Sequence, residues 1–336
     1  MSIFGKVNFL QACCDNNIEV VKETIKYINE NNKDKKLYEC FVTSCARGHL
    51  EIVSLLIENG FNIEEKNIFG TTGFIEACRN NNMKMIELLI KSNVNIKHKD
   101  CHGGTGFHYA AMLGYVNILK LIPFYGININ DVNGNGDTVL HILCAYGIYV
   151  GRNDSRIEMV KFLLDNGADI NIMNKKDYSV YVCACTTNSL DIVKIIEESN
   201  KINNLTVERN KGLYVACRYK SLNVIEYLLS NMNINFEDEI FRLSFKYLYI
   251  RTDSTFRLDS KDERYMEALK LLISVDNNYE NICTGVMNIK FDKIIKDYLS
   301  SGEYNIKRNK ILGHRAANIC SLIILFSDNY YNLKNV

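Results

Sequence analysis

The chain has 336 residues, 47% hydrophobic and 24% charged, which is close to globular averages and excludes disorder along its whole length. Its 40 Lys and Arg nearly cancel its 39 Asp and Glu, and a net charge of +1 supplies no field to hold a polyanion. Nucleic acid is therefore not an expected partner, and neither is a membrane, because no stretch approaches the ~18 uninterrupted apolar residues of a span.

Met1–Leu10 carries Lys6 and Asn8 where a signal peptide needs an apolar run. The 12 cysteines are accordingly expected as free thiols in a reducing, cytoplasmic setting. Further along, a Gly or Asn marker follows a pair of small residues at Asn16, Gly48, Asn81, Gly114 and Gly147, first 32 and then 33 residues apart. Asn188 comes 41 later and Lys220 another 32 later, so an insertion of eight residues is expected over Ile148–Ser155.

Each unit reads as a helix, a tight turn, a second helix and an extended turn. Phe74–Arg79 and Phe107–Met112 are predicted first helices, and Met85, Leu88 and Leu89 give a second helix its apolar stripe. The chain reverses at the marker, where a positive φ is needed and Gly or Asn adopts it cheaply. Asn67–Gly70 and Asn133–Gly136 are predicted turn tips, and Pro123 is expected to end its helix a turn early. Beyond Asn235, Ile240–Tyr249 with Tyr265–Ile273 and Ile282–Met287 with Phe291–Leu299 read as further pairs, and Lys310–Phe326 as a cap. The expectation is an all-α solenoid of about nine to ten helix-turn-helix units with degenerate last units. It divides into residues 1–235, about seven units, and residues 236–336, degenerate units and cap.

Asp137-Thr138-Val139-Leu140-His141, Thr105-Gly106-Phe107-His108-Tyr109-Ala110-Ala111, Gly48-His49-Leu50-Glu51-Ile52-Val53 and the run Leu163 to Asn171 resemble the ankyrin repeat over about residues 8–235. The proline that usually opens the family's first helix is missing throughout. The resemblance implies a non-enzymatic, intracellular interaction module, a monomer with no cofactor, that holds a protein in its concave face. It also implies that His108 and His141 are structural and that Asn171 resembles the asparagine modified by factor-inhibiting hydroxylases. The Asn-, Ile-, Lys- and Tyr-rich flavour resembles ankyrin proteins of giant DNA viruses of amoebae, which would make the partner a host protein and the location the host cytoplasm.

In register, Cys13, Cys45, Cys78, Cys144, Cys185 and Cys217 fall in one column with Ala111. Close helix approach there favours a small side chain, and successive members should lie ~10 Å apart, beyond disulfide reach. His98, Cys101 and His102 lack a partner cluster for zinc, so no metal is expected. Gly103–Gly106 and Gly134–Gly136 lack the following Lys-Ser or Lys-Thr and the strand of a phosphate loop. Residues projecting from the first helices are expected to bind: Glu76, Arg79, Tyr109, Met112, Leu113, Ile142, Tyr146 and Tyr219, with Phe69, Cys101, His102, Asn135 and Tyr178 as a polar rim at the tips. The rival readings are a nucleic-acid-binding or enzymatic activity in the C-terminal third, around Lys290, Lys293, Lys307, Arg308 and Lys310, and a purely structural role.

Overall fold

The computed structural model describes residues 3–30, 40–145, 153–231 and the single residue Ile306. The expectations for Tyr146, Gly147, the 235/236 boundary and the C-terminal pairs lie outside the described residues. The chain divides into two compact bodies, Met1–Asp177 and Tyr178–Val336.

The described part of the first body holds five helix pairs: α1 (Ile3–Cys14) with α2 (Ile18–Glu30), α3 (Cys40–Arg47) with α4 (Leu50–Glu58), α5 (Gly73–Arg79) with α6 (Met83–Lys91), α7 (Gly106–Leu113) with α8 (Val116–Leu119), and α9 (Val139–Ala145) with α10 (Asn153–Asp165). The described part of the second body holds two, α11 (Val180–Cys185) with α12 (Leu190–Glu198) and α13 (Leu205–Tyr219) with α14 (Leu222–Asn231). Among the described residues no strand forms; two isolated bridges, Lys66 with Thr72 and Val132 with Thr138, close tips.

Helices of six to nine residues, such as α3–α7 and α11, are too short to persist alone, so packing must hold them. First helices pack on first helices along α1, α3, α5, α7 and α9, and second helices likewise along α2, α4 and α6. The first-helix interfaces are filled by Phe9, Phe41, Phe74, Phe107 and Leu140, all at most 1% exposed, with Phe74 and Phe107 ring centroids 5.9 Å apart. Tyr181 and Leu213 occupy the same position in the second body. The cysteine column is buried as expected, each of its six thiols at 0% exposure and Ala111 at 2%. Burial pushes the Cys144 thiol up to about 12 and those of Cys45, Cys78 and Cys217 higher still, so these four stay protonated and inert at neutral pH.

The turn markers take left-handed backbone at Asn16, Gly48, Asn81, Gly114 and Lys220, with φ of 57°, 79°, 53°, 75° and 60°. Asn188 does not. There the Thr186 and Thr187 hydroxyls donate to the carbonyls of Cys183 and Ala184 at 2.7 and 3.0 Å, and side chains end α11 in place of a left-handed residue. Pro123 acts as expected: it has no N–H for Leu119, whose carbonyl instead accepts from Ile122, and a 3-10 turn Pro123–Tyr125 replaces the rest of α8. Past the insertion, buried Arg156 turns back and donates to the carbonyls of Leu143 and Cys144, both at 2.6 Å, placing a cation on the C-terminal end of α9.

Thr105 and Thr138 open α7 and α9, each with a buried histidine three residues on. The Thr105 N–H donates to His108 Nδ1 at 3.2 Å, which fixes the proton on Nε2, and Nε2 donates to the Asp131 carbonyl at 3.2 Å. His141 repeats the contact with Thr138. His108 thereby ties its first helix to turn backbone, and His141 brackets the start of its own helix, both structural roles of the kind the resemblance implied.

Candidate functional site

The tips of the first body are built by one side chain per repeat. Asn67 Oδ1 accepts the N–H groups of Phe69 and Thr71 at 2.9 and 3.1 Å, Asp100 Oδ1 those of His102 and Gly104 at 2.9 Å each, and Asn133 Oδ1 those of Asn135 and Asp137 at 2.8 and 3.0 Å. Asn174 accepts from Lys176 at 2.9 Å in the fourth tip. A short acceptor side chain bonded two residues ahead makes such a turn without strand pairing.

The tips are then joined by backbone. Phe69 C=O accepts from Cys101 N–H at 3.1 Å, His102 C=O from Gly134 N–H at 2.8 Å, and Asn135 C=O from Lys175 N–H at 2.9 Å. The approach is close enough that a Cβ on Gly134 would stand 2.3 Å from the His102 carbonyl oxygen, and one on Gly103 would stand 2.6 Å from Gly134 N. These glycines serve tip contact, which agrees with reading them as tips and not as phosphate loops.

Three of the expected site residues converge beside this ladder. Glu76 accepts from the Thr71 hydroxyl at 2.9 Å and pairs with Arg79 at 3.5 Å. The Arg79 guanidinium lies 5.0 Å from the ring centroid of Tyr109, one repeat on, and the Tyr109 hydroxyl donates to Asp100 Oδ2. Burial and then the Asp100 carboxylate hold the Tyr109 phenol above its usual range. Two repeats are thereby linked from helix to tip by Thr71, Glu76, Arg79, Tyr109 and Asp100.

Phe69 is 58% exposed with Ile68 beside it at 82%, and Cys101, His102 and Asn135 are exposed on the following tips. Met112 and Leu113 are half-buried at the end of α7. Ile142 corrects the sequence reading: it is 4% exposed and belongs to the core. It is 33 residues from Tyr109 as Tyr109 is from Glu76, but it has no polar atom to carry outward, so the edge position turns in. In the second body Tyr178 is half-buried, and burial raises its phenol against the opposing charge of nearby Arg218; Tyr219, ending α13, is 50% exposed. His98 Nε2 donates to the Gly70 carbonyl, 3.0 Å away, so its ring is engaged in tip packing.

One cluster escaped sequence reasoning. Glu197 on α12 receives Tyr181 OH at 2.6 Å, Arg209 Nε and Nη2 at 2.9 and 2.6 Å, and Tyr227 OH at 2.8 Å. These donors come from α11, α13 and α14, so a single carboxylate joins all four described helices of the second body. Burial alone would raise the Glu197 carboxyl, but the hydrogen bonds from Arg209 and Tyr181 outweigh it and leave it lowered. No sequence period could reveal the set, because its members share no repeat position.

Compared with known families, the chain matches a family model described as ankyrin repeats in three copies, over residues 9–100, 40–133 and 148–238. No curated protein matches it. Among the described residues no helix is long and apolar enough to cross a membrane. Ankyrin repeats are generally protein–protein interaction modules and are typically non-enzymatic. On stacked helix pairs, joined tip to tip in the first body, and on a family match covering more than half its length, the chain belongs to the ankyrin-repeat family.

Proposed function

We propose that the chain holds a protein partner through the first helices and tips of its Met1–Asp177 body and performs no catalysis. The observation that carries this reading is the braced set Glu76, Arg79, Tyr109 and Asp100 beside the exposed Phe69, His102 and Asn135. Arginine and tyrosine are the commonest energetic anchors of interfaces, and side chains already held in place lose less entropy when a partner arrives. Tyr178 and Tyr219 give the second body a patch of its own. The composition, which resembles that of giant-virus ankyrin proteins, supports a host protein as partner, met in the host cytoplasm by a monomer.

Affinity capture from native cells with the wild type and with Phe69→Ala plus Arg79→Ala tests the reading. These two residues leave the Tyr109–Asp100 contact intact, and anchors of this kind contribute ~1–2 kcal/mol each, so recovery of the wild-type partners should fall at least ~10-fold. Recovery of the same partners in equal amounts refutes the assigned face.

A further inference from the structure

In three repeats one buried position of the first helix stands against the cysteine column of the repeat before it. Glycine fills that position at Gly73, Gly106 and Gly212, each five residues ahead of its own column member, Cys78, Ala111 or Cys217. The facing thiol leaves no room for more. A Cβ added to Gly73 would stand 2.7 Å from Cys45 Sγ, one on Gly106 2.7 Å from Cys78 Sγ, and one on Gly212 2.8 Å from Cys185 Sγ.

In the second repeat the same position, five residues ahead of Cys45, is Cys40, and the column member it faces is Cys13. A second thiol stands where three other repeats keep glycine. α1 packs on α3, the Cys13 and Cys40 thiols lie close enough to act on each other, and they are 0% and 2% exposed. Ser44, one turn beyond Cys40 on α3, is fully buried, and its hydroxyl has no hydrogen-bond partner.

Carbon positions decide what such a pair can do. At the three glycines the added Cβ would lie 3.3, 3.1 and 3.6 Å from the Cβ of Cys45, Cys78 and Cys185. A disulfide spans ~3.5–4.5 Å between Cβ atoms, so a cysteine in this position needs only a few tenths of an ångström of adjustment to bond. Members of the column itself, one repeat apart, have no such relation.

We propose that Cys13 and Cys40 form a reversible disulfide that pins the first repeat to the second when a hydroperoxide is present. One thiolate attacks a peroxide oxygen; an S–O bond forms, the O–O bond breaks, and water or an alcohol leaves, giving a sulfenic acid. The other thiol attacks that sulfur; the S–S bond forms, the S–O bond breaks, and the departing hydroxide takes up the second thiol's proton as water. Two thiols lose two electrons and one peroxide is reduced. Both sulfurs are buried, so the step waits on local opening of the α1–α3 contact and proceeds more slowly than oxidation of exposed Cys101.

The test treats the full chain with hydrogen peroxide, alkylates the remaining thiols in denaturant, and maps unreduced peptides, with fragmentation separating Cys13 from Cys14. Cys101 reports that the oxidant acted, and Cys78, which faces Gly106, is the buried control. The expected result is a Cys13–Cys40 cross-link that dithiothreitol reverses and a higher melting temperature for the oxidised protein than for the reduced one. Cys40→Gly, the residue other repeats carry, should fold and lose both effects. The proposal is overturned if Cys13 and Cys40 remain as alkylatable as Cys78, if they over-oxidise without linking, or if oxidised and reduced protein melt alike.

Discussion

Substituting Glu197 by Gln removes the charge that joins the four described helices of the second body while keeping the side chain's shape. Its carboxylate takes four hydrogen bonds, two from one guanidinium, and the paired side chains are 9% and 20% exposed, so water screens them little. Removing one member of a buried ion pair costs ~3–5 kcal/mol. Arg209 keeps partial exposure and a bond to the Asn231 carbonyl at 2.9 Å, which places the expected loss near the lower end, about 3 kcal/mol. A repeat protein need not unfold as one unit, so the loss is best read locally, as hydrogen exchange of peptides from residues 178–231. About 3 kcal/mol accelerates exchange on the order of 100-fold. The double variant Glu197→Gln, Arg209→Met should be less affected than the single one, since no buried cation is then left alone. The pH dependence has a defined sign. The folded carboxyl is lowered, so its stabilisation is complete above the unfolded value of ~4.3 and is lost as pH falls through the folded one. An acceleration below ~3-fold, or an acid step in exchange that survives in Glu197→Gln, refutes the argument.

Tyr109→Phe deletes a hydrogen bond to the buried Asp100 carboxylate, for an expected loss of ~1.5–3 kcal/mol. It should also speed exchange of the His102 and Gly104 amides; unchanged protection of both shows that the phenol does not hold the tip. His108 is buried neutral with its pKa lowered by desolvation, so it stabilises the fold fully above the unfolded value of ~6.5 and loses that contribution as pH falls toward the folded value. The melting temperature of the wild type should therefore drop more between pH 7 and pH 5 than that of His108→Gln, and equal drops count against it. Lys220 holds left-handed backbone at φ 60°, a cost of ~1–2 kcal/mol for an L-residue, so Lys220→Gly should gain about 1 kcal/mol in urea denaturation. A loss of stability means that the Lys220 side chain contributes more than its backbone costs.

What could be read from sequence was whatever repeats. Gly48, Asn81 and Gly114 announced the turns, the cysteine column announced close helix contact, and Thr105 with His108 announced a helix start; each is a local demand met once per repeat. Asp100 was not legible, because only its second carboxylate oxygen distinguishes it from the asparagines at 67 and 133, and that oxygen acts on Tyr109 in another element. Glu197 and its donors were invisible for the same reason, being one-off contacts between helices. Ile142 shows the opposite failure: position in the repeat predicted a face, but side-chain chemistry decided which way the residue turned. Asn188 was misjudged because two neighbouring threonine hydroxyls supply what a left-handed residue supplies elsewhere.

At Phe69, His102 and Asn135 the contact between tips is made by the carbonyl of the residue and never by its side chain. Any amino acid carries the same carbonyl. Identity at these three positions is thus free of the duty of holding neighbouring turns together, whereas Gly134, which donates to the His102 carbonyl, and Gly103, packed against Gly134, are not. Selection for a new target could rewrite the outermost side chains while the spacing beneath them stays fixed.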